Sequence, residues 1–177
     1  MLHGRTILLT GGPPQASAAH EEIEMTQRLN AVEIAPAALT ALMGVQSYIE
    51  GCGLEPGLIA LVEMRASQIN GCAFCLDMHS RAARRHGETE QRLYLLDAWH
   101  ESPLYTPRER AALAWTEALT RIAETHAPDD TYAEVARYFS PQEVVNLTML
   151  IGQINLWNRL SIAFRTEHPV EARSKAA

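Results

Sequence analysis

No stretch of this sequence approaches the roughly 18 uninterrupted apolar residues that a bilayer-spanning helix requires. The most apolar one, residues 144–164, is interrupted by Asn146, Gln153, Asn155, Asn158 and Arg159 and reads as a core helix. Lys and Arg clustered among aromatics are also missing and the net charge is −6, which argues against a nucleic-acid partner, since phosphate binding needs concentrated positive charge. The N-terminal run Ile7-Leu8-Leu9 is too short for a secretory signal, and no glycine-rich phosphate loop or Walker lysine follows it. Beyond residue 25 no alternating strand pattern bounded by turn residues appears. The expected compartment is therefore the reducing cytoplasm, with no membrane partner. There a Cys-x-x-Cys pair does redox or metal chemistry more often than structural cross-linking. The three cysteines cannot all pair within one chain.

What is present is enough for one core. At 177 residues and 47% apolar composition the chain fits a single globular domain. Residues 1–24 carry Gly, Pro and small residues without a sustained hydrophobic period and are expected to form a flexible N-terminal extension, leaving 25–177 as the folded domain. Helix punctuation then repeats. Pro36 opens a helix with Leu39, Leu42, Met43 and Ile49 inward, ended by Gly51; Pro56 or Gly57 opens another with Leu58, Leu61, Val62 and Ile69 at helical spacing. Cys72 begins a helix that ends at His86-Gly87, and Thr89 caps the next, through about Trp99. Thr106-Pro107-Arg108-Glu109 and Ser140-Pro141-Gln142-Glu143 are matching capping boxes, each with a hydroxyl at N-cap, proline at N1 and glutamate at N3. The first starts a helix striped with Ala112, Trp115, Leu119 and Ile122, and the second starts the long apolar helix to about Phe164; between them Asp129 or Asp130 starts a shorter one through Phe139. The predicted class is all-α.

The chemistry concentrates in Asn70-Gly71-Cys72-Ala73-Phe74-Cys75-Leu76-Asp77-Met78-His79. Separations of three and four residues put Cys72, Cys75 and His79 on one face of a helix, continued by Ala82 and His86, with Arg81, Arg84 and Arg85 opposite. Thiols in a first turn sit near unpaired N–H groups and the positive dipole end, which stabilises a thiolate. The dipole favours Cys72 as the attacking sulfur and proximity to His79 favours Cys75; we prefer Cys75. Its thiolate would attack the distal oxygen of a hydroperoxide and become a sulfenic acid, which Cys72 resolves to a disulfide while His79 manages the protons. Zinc is the competing chemistry, through Cys52, Cys72, Cys75 and His79, but three ligands from one helix face converge poorly on a tetrahedron. No metal or cofactor is therefore expected. Cys52 alone reads as a spectator, His86 as a helix-end cation, and Trp99, Trp115 and Trp157 as core or subunit packing, while Asn158 and Arg159 are candidates to face an interface.

The run Leu54-Glu55-Pro56-Gly57-Leu58, Leu61-Val62 and then Arg65-Ala66-Ser67-Gln68-Ile69-Asn70-Gly71-Cys72-Ala73-Phe74-Cys75-Leu76-Asp77-Met78-His79 resembles the alkylhydroperoxidase D-like branch of the carboxymuconolactone decarboxylase family. The resemblance extends, more weakly, from about Met25 to Trp157-Asn158-Arg159-Leu160. It implies an all-helical bundle that assembles into homo-oligomers, and an antioxidant thiol peroxidase in which the second cysteine attacks and the first resolves. It also implies a small peroxide as substrate and a dithiol reductant protein, lipoyl-bearing or thioredoxin-like, as partner. The decarboxylase branch is less similar, since it generally lacks the thiol pair. In the peroxidase branch a glutamate twelve residues before the first cysteine relays protons and a histidine lies between the cysteines; here those positions are Ala60 and Phe74. Glu63, almost one helical turn after Ala60 and otherwise read as a solvated residue, is the candidate replacement that would fix the imidazole tautomer. These departures predict a weaker or differently tuned peroxidase. The contrasting expectation is a helical oligomeric binding or scaffold protein whose redox site is vestigial.

Overall fold

A computed structural model describes residues 26–170, so the extension expected over 1–24 lies outside the described residues. The order is α1 (Ala31–Ile34), α2 (Pro36–Glu50), α3 (Pro56–Asn70), α4 (Ala73–Arg85), α5 (Glu90–Leu95) and a 3₁₀ turn (Leu96–Ala98), then α6 (Pro107–Thr120), α7 (Ile122–Thr125), α8 (Asp129–Tyr138) and α9 (Pro141–Phe164). The fold is all-α, and proline stands at the first turn of α2, α3, α6 and α9, where its missing N–H costs nothing.

Both capping boxes form, with Thr106 and Ser140 accepting from the N–H groups of Glu109 and Glu143 and each glutamate reaching back to the N-cap N–H. Each of these glutamates also receives an arginine from another element: Arg92 of α5 pairs with Glu109, and Arg108 of α6 pairs with Glu143. Burial pushes the Glu109 carboxyl up, but the Thr106 N–H and Arg92 outweigh it and hold the group below the usual carboxylate range. The Ser140 N–H and Arg108 hold Glu143 low as well. The caps thus end helices and cross-link them.

α3 is the central element, packed against α4, α6 and α9. Its residues 60–67 are all buried, so it offers no solvent face. Leu58 and Val62 join Ile49, Ala112, Trp115, Leu147 and Ile151 in one core cluster, while Ala60, Leu61 and Met64 join Ala83, Leu96 and Leu113 in a second. A helix placed this way must find partners for every polar side chain it carries. Arg65 finds them: its Nε donates to Glu117 Oε1 at 2.8 Å and its Nη1 pairs with Asp97 and with Gln68.

Two expected core positions turn outward. Met43 is 53% exposed, because α2 is peripheral and packs mainly on α1 and α9, burying Leu42 and Ile49. Ile122 is also 53% exposed: α6 ends at Arg121, and the restart as α7 rotates Ile122 off the stripe. Asn158, expected at an interface, is wholly buried within the chain. Among the described residues no helix is long and apolar enough to cross a membrane.

Candidate active site

The site is built on the turn between α3 and α4. Gly71 takes the left-handed conformation (φ 70°, ψ 36°), which a residue without Cβ adopts at little cost. The Cys72 N–H then donates back to the Ser67 carbonyl at 3.0 Å, closing α3 with a Schellman-type bond. Cys72 is at the same time the N-cap of α4: its Sγ accepts from the Cys75 N–H at 3.4 Å and its carbonyl accepts from Leu76 N–H at 2.9 Å. A single residue therefore ends one helix and starts the next. The N–H aimed at Cys72 Sγ favours negative charge on that sulfur.

Cys72 and Cys75 are joined as a disulfide with their Cα atoms 5.4 Å apart, and each residue is 1% exposed. One turn further along α4 stands His79, 9% exposed. Its Nδ1 lies 2.9 Å from Oε2 of Glu63, which is 8% exposed and reaches across from α3. Glu63 of α3 and His79 of α4 thus meet, and the thiol pair lies at the start of the same helix as His79. Position 60 contributes no carboxylate; Ala60 packs with Leu61, Met64 and Ala83. An ionised Glu63 accepting the Nδ1 proton leaves Nε2 with its lone pair free to accept another.

Other expectations resolve simply. On α4 it is Ala83, not Ala82, that is wholly buried, and His86 is exposed at the helix end. Cys52 is a half-buried free thiol. Trp99 and Trp115 are core residues whose indoles donate to Glu117 Oε1 at 2.8 Å and Thr148 Oγ1 at 3.0 Å.

One group of residues escaped sequence reasoning. Asn70, two positions before Cys72, donates from Nδ2 to Asn158 Oδ1 at 2.8 Å and to Asn155 Oδ1 at 3.0 Å, both on α9. Asn158 Nδ2 donates to Ser67 Oγ at 3.1 Å, and Asn155 Nδ2 to Thr120 Oγ1 at 3.1 Å. The amides breaking the apolar run of α9 are its trace in the sequence, where they exclude a membrane span and, for Asn158, suggest an interface in place of this network.

Residues 35–118 match the sequence profile of the carboxymuconolactone decarboxylase family. The uncharacterized protein YdfG of Bacillus subtilis (strain 168) is 43% identical over 139 residues, which span 78% of this chain and 95% of that protein. The crystal structure of a protein of unknown function from Agrobacterium tumefaciens, a candidate antioxidant defence protein AhpD, superposes with TM-score 0.81 at 47% identity. The match covers 82% of this chain and 100% of that one. An alkylhydroperoxidase AhpD core, an uncharacterized peroxidase-related protein from Ralstonia eutropha JMP134, shares the fold at TM-score 0.69 and 14% identity, covering 77% of this chain and 73% of its own.

Proposed function

The chain belongs to the carboxymuconolactone decarboxylase family, and from that premise we propose that it is a thiol-dependent peroxidase cycling through the Cys72–Cys75 disulfide. The observation that carries this reading is the buried Glu63–His79 couple, at 2.9 Å, one helical turn beyond the thiol pair. Buried ionisable groups are costly unless paired, and two of them beside two thiols supply what proton-coupled sulfur chemistry needs.

In the proposed cycle the Cys75 thiolate attacks the distal oxygen of a hydroperoxide ROOH. The S–O bond forms, the O–O bond breaks, and the alkoxide takes the proton that His79 removed from the Cys75 thiol, leaving as ROH. The Cys72 thiolate, favoured by the Cys75 N–H, then attacks the sulfenic sulfur; the S–S bond forms and hydroxide leaves as water after protonation. Two electrons have passed from the dithiol to the peroxide. A dithiol protein, lipoyl-bearing or thioredoxin-like, restores them by thiol–disulfide exchange. Glu63 acts as a positioning residue that holds the imidazole with Nε2 as the accepting nitrogen.

The test is peroxide trapping by variants. Reduced Cys72→Ser treated with cumene hydroperoxide is expected to accumulate a sulfenic acid on Cys75, whereas Cys75→Ser forms none and His79→Ala forms it at least about 100-fold more slowly, the usual worth of a general acid–base group. A sulfenic acid that appears on Cys72 in the Cys75→Ser protein reverses the assignment. Absence of reaction in every protein, wild type included, leaves the binding or scaffold reading in its place.

A further inference from the structure

The backbone of the turn Asn70-Gly71-Cys72 is held by the Schellman-type bond to Ser67 and by the first turn of α4. Its third anchor is the Asn70 carboxamide, both of whose N–H groups are taken by α9, by Asn158 and Asn155. Asn158 is wholly buried and its own amide donates to Ser67 Oγ, on the residue whose carbonyl receives the Cys72 N–H. Asn155 is tied onward to Thr120 of α6 and to the Ile151 carbonyl, and it accepts from Arg159. These amide hydrogen bonds tie Asn70 and Ser67, two and five residues before Cys72, to a helix far away in sequence. A wholly buried amide costs free energy unless each of its groups is satisfied, and the groups that satisfy Asn158 belong to Asn70 and Ser67, beside the turn. Asn146 on the same helix shows the contrast. It is equally buried, but its bonds go to Tyr48 and the Cys52 carbonyl, far from the thiols along the chain.

We infer that Asn158, acting with Asn155 through Asn70, is a positioning residue for the redox pair: it holds Cys72 where its sulfur meets that of Cys75, and so sets how strongly the disulfide is favoured over the dithiol. This rests on the disulfide-cycle reading above, though not on peroxide being the oxidant. Preorganising one thiol against another raises its effective concentration. Loosening the pivot gives freedom to the dithiol that the disulfide must surrender, so removal of the grip shifts the couple toward the reduced form.

The experiment equilibrates full-length protein with glutathione buffers of graded ratio, traps thiols by alkylation and measures the Cys72–Cys75 disulfide by peptide mass. Asn158→Ala and Asn70→Ala are each expected to lower the equilibrium constant for disulfide formation by about tenfold, the worth of one or two well-made hydrogen bonds, or about 30 mV for a two-electron couple. The double variant should shift it by less than the sum of the two single shifts, since both remove the Asn70–Asn158 bond, and Asn146→Ala should leave it unchanged. A merely structural asparagine would lower melting temperature without moving this equilibrium. An unchanged equilibrium in folded Asn70→Ala protein overturns the inference even if Asn158→Ala fails to fold, and so does an equal shift in Asn146→Ala. No peroxide enters the measurement, so a chain inactive toward peroxide but with the shifted couple would sink the peroxidase reading and leave this one standing.

Discussion

Glu63 and His79 meet in one buried contact between side chains of neighbouring helices. From the sequence Glu63 was one turn away from where a relay carboxylate belongs and had an ordinary solvated reading beside the functional one. The solvated reading fails because residues 60–67 are all buried, a property of where α3 sits and not of its local pattern. For the same reason the grip of Asn155 and Asn158 on Asn70 was not legible: nothing in periodicity says which amide meets which across 85 or 88 residues. Cys72, Cys75 and His79, by contrast, were legible because their relation is local. The couple makes a specific prediction. In reduced wild-type protein, nitrogen NMR should find His79 protonated at Nδ1, the nitrogen facing Glu63. Glu63→Gln should yield a mixture of tautomers and slow single-turnover peroxide reduction by about tenfold or more, in line with losses on removing a histidine's orienting partner. A wild-type tautomer protonated at Nε2 would contradict the assignment.

At the scale of elements, helix starts were read most accurately because their chemistry is written within four residues. Thr106 and Ser140 sit at N-caps with proline and glutamate behind them, and both boxes close. Helix ends and outward faces were harder. Ile122 fits the stripe of α6 until Arg121 breaks the helix, and Met43 fits an inward face that α2, at the edge, does not possess. Because Glu109 and Glu143 each hold both a cap and an arginine, the boxes predict graded stability losses. Thr106→Ala and Ser140→Ala should each cost about 1 kcal/mol in denaturant unfolding, the ordinary worth of an N-cap hydroxyl. Glu109→Ala and Glu143→Ala should each cost more, since the arginine also loses its partner. Equal losses from hydroxyl and glutamate variants would show that the arginine pairs contribute nothing.

For the whole molecule, the arrangement that places α3 at the centre also buries Arg65 against Glu117. Burial pushes the Glu117 carboxyl up, but the Trp99 indole and Arg65 outweigh it and hold it below the usual range. A carboxyl whose folded pKa is depressed adds stability above its unfolded pKa of about 4.3 and loses it as pH falls through the folded value. Glu117→Gln should therefore destabilise the protein by about 1 to 3 kcal/mol at neutral pH and flatten the acid limb of the stability profile; parallel wild-type and variant limbs would contradict this. The exterior carries a further expectation. Val145, Met149 and Leu156 line one exposed face of α9, an apolar area suited to contact between copies. Light scattering should find an oligomer that Met149→Asp with Leu156→Asp converts to monomer, and a monomeric wild type would end that proposal.

The central claim is that Cys72 and Cys75 pass two electrons to a peroxide, and stoichiometry over one turnover tests it most directly. Fully reduced protein is mixed anaerobically with one equivalent of cumene hydroperoxide, and thiols, alcohol product and disulfide peptides are counted together. The account predicts one alcohol formed per chain, two thiols lost, a Cys72–Cys75 peptide recovered, and Cys52 still free. Intact peroxide with all three thiols retained would contradict it.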